Sequence, residues 1–371
     1  MPAESISFAR GAPSADILPV EAVREAAART LESDWQRALS YGTGRGHAGL
    51  CEWLGDHHGV EAEQVMVTNG SMEAAALLFR YMIEPGDRVI VEQPSYDRTL
   101  LLLGRTGAEL VPVPLQADGL DIDAFEAALA GGPVKLAHVI PNFHNPAGCT
   151  LSAAKRERLV ELADEHGFWI FEDDPYRLVR FGDGELPPTM LSTDSSGHVI
   201  HASSFSKTVS PGVRVGYLAG PAERIQTLAK RGSEHYISPN MLAESIVLEL
   251  CTSGALAKNI EFVNGALAER RDALVEALRE QIPEAEFVVP GGGYFLWLDL
   301  DPGADTPALL AAAKEEGVAF VAGPDFMLEG GRSALRLSFA PVPADQIPEG
   351  VARLARALER LRGSKPNAEA A

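Results

Sequence analysis

From residue 64 onward, short β-rich apolar runs alternate with stretches whose apolar positions recur at helical spacing. The run 64–68 leads into a helical pattern at 70–83, 87–93 precedes a helix around 95–104, and 108–113 precedes one at 121–130. The run 134–140 comes before an amphipathic helix at 151–167 that ends on Gly167. Further strands are predicted at 168–174, 198–204 and 212–220. This alternation predicts an α/β domain whose largely parallel sheet is covered on both faces. Two long helices follow, at 221–251 and 256–280. After Pro283 the pattern changes to two strands around a Gly-rich turn (285–300), a helix (306–316), strands at 318–323 and 334–340, and a last helix (343–362). That is the pattern of a smaller α+β domain. The tail 363–371 is expected to be disordered.

A chain of 371 residues is long for one hydrophobic core, which agrees with two domains. With 46% hydrophobic and 23% charged residues the balance is that of a soluble globular protein. A net charge of −20 leaves no basic face for nucleic acid or an anionic membrane. No apolar stretch has bilayer length, and the N-terminus shows no signal-peptide pattern. Cys51, Cys149 and Cys251 are odd in number and widely spaced, which fits free thiols in a reducing cytoplasm. No Cys/His cluster has ligand spacing, so no metal is expected.

In an open α/β sheet, ligands sit beyond the carboxyl ends of the strands. Polar residues at those ends are therefore the candidates. "TNGSM" (68–72) opens a helix whose N-terminus can meet a phosphate. "PNFHNPAG" (141–148) carries Asn145, and "FEDDPYRL" (171–178) sets adjacent acids at the end of an apolar strand. "SSFSKTVSPGVRVGYLAG" (203–220) isolates Lys207 and Arg214 among apolar and hydroxyl groups. Taken singly these read as a cap (Ser71), a turn former (Asn145), a surface acid (Asp173) and a loop lysine (Lys207). Taken together they suit one ligand. A phosphate cradle (Ser71, Ser204, Arg214), an acid for a ring nitrogen (Asp173), two hydrogen-bonding groups (Asn145, Tyr176) and an imine-forming lysine point to pyridoxal 5′-phosphate. Tyr96 in "PSYDR" is placed to stack on its ring.

The runs "ISFARGAPS", "YGTGRGHAGL", "VTNGSMEAA", "EQPSY", "PNFHNPAGCTLS", "EDDPY", "SSFSKTVSPGVRVGY", "GGGYFLWLDL", "VAFVAGPDF" and "ALRLSFA" span nearly the whole chain. In that order they resemble the class I/II aminotransferases of the aspartate aminotransferase superfamily, in particular the 2-aminoadipate and kynurenine aminotransferase branch. The resemblance implies a three-layer αβα large domain with a mostly parallel seven-stranded sheet and a smaller α+β C-terminal domain. It divides the chain into an N-terminal segment (1–45) against the small domain and a dimer partner, a cofactor-binding domain (46–255) and a small domain (256–371). It implies that Lys207 holds the cofactor as an aldimine and carries the proton, with Asp173 on the ring nitrogen. Tyr176 and Asn145 would bond the ring oxygen, and Gly70, Ser71, Met72, Ser204, Ser206 and Arg214 would line the phosphate site. Tyr41 would reach the phosphate of a second subunit in a homodimer. Arg336 would pair with the substrate α-carboxylate, near Asn145 and Gly11. The implied reaction moves an amino group between an L-amino acid and a 2-oxo acid, with 2-oxoglutarate as the expected acceptor. β-Elimination or decarboxylation on the same scaffold is the alternative, and a ligand-sensing module the reading of another class.

Three departures concern the substrate. Arg10 stands where the family has a small residue, at the expected mouth of the site, as a candidate partner for a side-chain carboxylate. Relatives carry a pocket-capping helix ahead of this segment, so a more open mouth is expected here. "GTGRGHAGLCEW" replaces the usual run, and Arg45 and His47 are read as loop and dimer contacts.

Overall fold

In the computed structural model, which describes residues 5–364, the chain opens with β1 (Ile6–Ser7). Helices at Val20–Ser33, Trp35–Ala38 and Ala48–His58 follow before the α/β pattern begins. The large sheet contains β2 (Val65–Thr68), β3 (Arg88–Gln93), β4 (Glu109–Gln116), β5 (Gly119–Leu120), β6 (Leu136–Val139), β7 (Trp169–Asp173), β8 (Val199–Ser204) and β9 (Gly216–Ala219). Its order is β2-β9-β8-β7-β6-β3-β4-β5. From β8 through β7, β6 and β3 to β4 every pairing is parallel, whereas β9 runs antiparallel to both β2 and β8. The eighth strand, beyond the seven expected, is the two-residue β5, which folds back on β4. β2, β6 and β9 are buried along their whole length, as strands covered on both faces must be.

The remaining strands are β10 (Phe295–Asp299), β11 (Val318–Ala319), β12 (Val321–Ala322) and β13 (Ala334–Ser338). β13 pairs antiparallel with both β10 and β12, and β1 pairs parallel with β11. Ile6, Phe8 and Ile17 join the same hydrophobic core as Leu296, Leu298, Leu335 and Leu337. The N-terminal segment is thus built into the core of the C-terminal strands. The helix Ala255–Gln281 begins in the large-sheet core at Leu256 and runs on into this second core from Val263.

Several elements differ from expectation, each for a local reason. The helix expected at 221–251 is two, Ala222–Tyr236 and Met241–Thr252. Pro239 lacks a donor and disfavours a helical Ser238, and Asn240 then caps the second helix by accepting from the Ala243 amide at 3.1 Å. The strand expected at 212–220 is confined to Gly216–Ala219, because Pro211–Val213 form a single turn and Arg214 adopts left-handed angles (φ 51°, ψ 49°). Of 285–300 only Phe295–Asp299 is a strand, with isolated bridges from Glu286 to Asp299 and from Gly292 to Arg180. The run 318–323 breaks at buried Phe320 into β11 and β12, which serve different sheets. The last helix, Ile347–Ser364, takes in the first two residues of the expected tail, and 365–371 lie outside the described residues. Among the described residues no helix is long and apolar enough to cross a membrane, and no His/Cys/Asp/Glu group is arranged for a metal.

Candidate active site

At the carboxyl ends of β2, β3, β6, β7 and β8 lies a cleft of about 150 Å³. It brings together Ser71, Met72, Tyr96, Asn145, Asp173, Tyr176, Ser204, Ser206, Lys207 and Arg214, with Ile140, Pro175 and Pro211 filling its walls. One side is the start of the helix Ser71–Met82. Gly70, not Ser71, is the cap residue; at φ 93° it makes no side-chain cap. The amides of Glu73 and Ala74 fold back on the Gly70 carbonyl (3.1 and 3.3 Å). Those of Ser71 and Met72 have no partner among the described residues, which leaves two donors and the positive end of the helix for an anion. Glycine suits this position, since at φ 93° any side chain would be strained. That guanidinium donates to the Asn69 carbonyl (3.2 Å), the Pro211 carbonyl (3.2 Å) and Ser206 Oγ (3.4 Å), while Ser204 Oγ donates to Ser206 Oγ (2.8 Å). Two hydroxyls, two amides and a guanidinium therefore converge as an anion cradle.

Across the cleft, Lys207 donates from Nζ to the Gly11 carbonyl at 3.0 Å. Its amine lies 4.9 Å and 5.3 Å from the ring centres of Tyr294 and Tyr176. Burial, and then the neighbouring Arg336 and Arg214, lower its pKa to about 8 against the opposing pull of Asp173. Asp173 is 9% exposed; its Oδ2 lies 3.5 Å from His138 Nε2, while its buried Oδ1 has no partner among the described residues. An orphaned buried carboxylate oxygen is costly unless a donor arrives. Its neighbours Glu172 and Asp174 face other partners: Glu172 accepts from the Met190 and Leu191 amides, and Asp174 from Asn142 Nδ2 at 2.7 Å. Burial pushes Asp174 up to about 6.

Arg336, 6% exposed, donates to Asn145 Oδ1 (2.9 Å) and to the Ala9 carbonyl (2.7 Å), and its Nε has no partner among the described residues. Phe295 and Phe326 flank its guanidinium at 4.2 Å and 4.7 Å. Gly11 can have no side chain, because a Cβ would meet the Phe295 ring at 2.8 Å. The carbonyls on either side of Arg10 thus engage the two cations of the site, and Arg10 itself is exposed without an ion pair among the described residues. Tyr41 is not brought into the cleft; it projects from the chain 83% exposed. His47 is fully buried rather than an outer contact, because its Nδ1 caps the helix Ala48–His58 at the Leu50 amide (3.3 Å). Arg45 holds the carbonyls of Ala62 (2.6 Å) and Val65 (3.2 Å). His138 and Tyr294 escaped sequence reading: one sits mid-strand and the other in an aromatic run, where each reads as ordinary core.

Residues 3–354 match the family model described as aminotransferase class I and II. The chain belongs to the class I and II aminotransferases. This aminotransferase is 36% identical to the 2-aminoadipate transaminase of Thermus thermophilus, across 96% of its own length and 90% of the relative's. Among solved structures it is similar to the kynurenine aminotransferase of Pyrococcus horikoshii, in complex with PMP (TM-score 0.93, 32% identity, 98% and 93% of the two chains). It is similar also to an alpha-aminoadipate aminotransferase from Thermus thermophilus complexed with N-(5′-phosphopyridoxyl)-L-leucine (TM-score 0.92, 35% identity, 97% and 93%). The aminotransferase therefore shares the fold of these enzymes as well as their family, and β-elimination or decarboxylation is not favoured.

Proposed function

We propose that this aminotransferase binds pyridoxal 5′-phosphate in the cleft, attached to Lys207, and passes an amino group from an L-amino acid to a 2-oxo acid, with 2-oxoglutarate as acceptor. The observation that carries the cofactor assignment is a buried amine set between an unpaired carboxylate oxygen and an uncapped helix end. One small molecule bearing a carbonyl, a basic ring nitrogen and a phosphate satisfies all three. The phosphopyridoxyl group and the PMP in the two solved relatives support it.

When bound, the cofactor supplies a carbonyl carbon for the amino group and a ring that accepts electrons released at the substrate Cα. The Ser71 and Met72 amides, Ser204, Ser206 and Arg214 hold the phosphate. Asp173 keeps a proton on the ring nitrogen, and His138 buttresses its other oxygen. Tyr176 and Asn145, whose hydroxyl and Nδ2 have no partner among the described residues, orient the ring oxygen, and Tyr96 covers a ring face. Arg336 binds the substrate carboxylate and so fixes which Cα bond faces Lys207. With the substrate amine bound there, Lys207 Nζ would be the base that accepts the Cα proton and holds it for return. Its neutral form, favoured by burial, is the one that can do so.

Arg10 is the candidate for a second carboxylate on the substrate. Half-reactions with a panel of acidic and neutral amino acids, followed by the change in visible absorbance, test both arginines. Arg336→Ala is expected to raise KM for every donor by about 10²-fold, the loss of a charge-assisted pair. Arg10→Ala is expected to raise it for acidic donors alone; an equal change for neutral donors would remove Arg10 from substrate recognition. Ammonia or CO₂ released without a 2-oxo acid acceptor would sink the transamination reading.

A homodimer with shared sites is part of the proposal. Leu31, Trp35, Leu39 and Tyr41 leave large apolar side chains exposed within one short stretch, and Ile237 is exposed next to it, where Ser238 accepts from the Gly42 amide. Light scattering should return twice the chain mass, and a monomer with full activity would refute the shared site. Free thiols at Cys51, Cys149 and Cys251 support a cytoplasmic location.

A further inference from the structure

We propose that Asn69, just ahead of the cradle, is a positioning residue for the cofactor phosphate, its side chain acting through Glu73. The proposal rests on the reading of the cradle as a phosphate site. Every polar group of Asn69 is engaged. Its amide donates to Glu73 Oε2 at 2.6 Å and its Nδ2 to Glu73 Oε1 at 3.2 Å. Its Oδ1 accepts from the Asn240 amide at 3.0 Å, and its carbonyl accepts from Arg214 Nη2 at 3.2 Å. Two of the four, to Glu73 Oε1 and from the Asn240 amide, belong to the side chain.

The bond to Arg214 comes from the Asn69 main chain and joins those of the Pro211 carbonyl and Ser206 Oγ in holding the guanidinium, so any residue at this position would supply it. The clamp on Glu73 matters more. Glu73 is an acid in the first turn of the helix Ser71–Met82, whose open amides are those of Ser71 and Met72. A carboxylate in that turn is itself an attractive partner for helix amides. It would then be an internal competitor for an incoming phosphate, and a like charge beside it. Asn69 occupies both Glu73 oxygens and turns them onto itself. The Asn240 amide, at the cap of the helix Met241–Thr252, anchors the side chain that does this.

The role is therefore specific to the phosphate, and the test reads that specificity by ligand binding, without turnover. The full chain, freed of cofactor, is titrated with pyridoxal 5′-phosphate and with pyridoxal, which lacks the phosphate, by quenching of tryptophan fluorescence. Asn69→Ala is expected to raise Kd for pyridoxal 5′-phosphate by about tenfold, roughly the worth of a hydrogen bond to a charged group, and to leave Kd for pyridoxal unchanged. In the double variant Asn69→Ala with Glu73→Gln, most of that loss is expected to be recovered, since a neutral amide neither repels nor displaces the phosphate. Equal weakening of both ligands by Asn69→Ala, or no recovery in the double variant, would overturn the proposal. Should Asn69→Ala fail to fold, Asn69→Ser, too short to bridge Glu73 and Asn240 together, carries the same comparison. Arg214→Ala separates the two levels of the argument. If it abolishes the preference for the phosphorylated ligand and Asn69→Ala does not, Asn69 has no positioning role and the cradle stands. If Arg214→Ala also leaves the preference intact, the cradle assignment itself falls.

Discussion

Lys207→Ala is expected to lower kcat by at least about 10⁴-fold, since it removes the nucleophile and the proton carrier at once. Lys207→Arg should be as inactive, because it restores charge without a nitrogen that can lose its proton near neutrality. Single-turnover absorbance of the half-reaction checks both, and turnover within tenfold of the unaltered enzyme in either variant would remove Lys207 from the chemistry. The same residue carries a pH signature in the cofactor-free protein. Unfolded, it holds its proton up to the ordinary lysine value of 10.5; folded, only up to about 8. Between those values the unfolded chain binds more protons, so stability rises with pH across that window. A series of Tm measurements should show the rise in the unaltered chain and a flatter profile in Lys207→Ala.

Asp173→Asn is the second large effect. The unpaired Oδ1 is the acceptor for which the cleft offers no donor of its own, and an amide there could not hold a proton on a ring nitrogen. A loss of about 10³-fold in kcat is expected, the scale of removing one preorganised electrostatic contact. Because the cradle is untouched, binding of pyridoxal 5′-phosphate should weaken far less than turnover. A variant that lost binding and turnover in equal measure would show Asp173 to be a structural residue.

Much of this arrangement was legible in the sequence because the chain marks it by contrast. Lys207 and Arg214 are charges in apolar and hydroxylic surroundings, and Asp173 closes a strand of buried side chains. Residues whose function depends on geometry left no such mark. His138 reads as a core histidine until β6 and β7 are paired, which puts it beside Asp173. The left-handed angles of Arg214 are invisible in a run that otherwise reads as strand. Ile237, at φ 67°, interrupts a helical pattern that Pro239 alone only hints at. The helices before residue 64 were missed for a different reason. Ala48–His58 carries two glycines and two histidines, and it is held by packing and by the His47 cap more than by propensity. The pairing of β1 with β11 joins residues at opposite ends of the chain, beyond the reach of any local signal.

The crowding of three cations around one cleft has a consequence for the cofactor-free protein. After burial itself, Arg336 and Arg214 are what hold down the basicity of Lys207. On the proposed reading each of those arginines is also the seat of an anion, a phosphate at Arg214 and a substrate carboxylate at Arg336. An anion placed at either seat would cancel part of the repulsion felt by the free amine between them. The two seats and the lysine would thus sense one another through charge alone, with no moving part required.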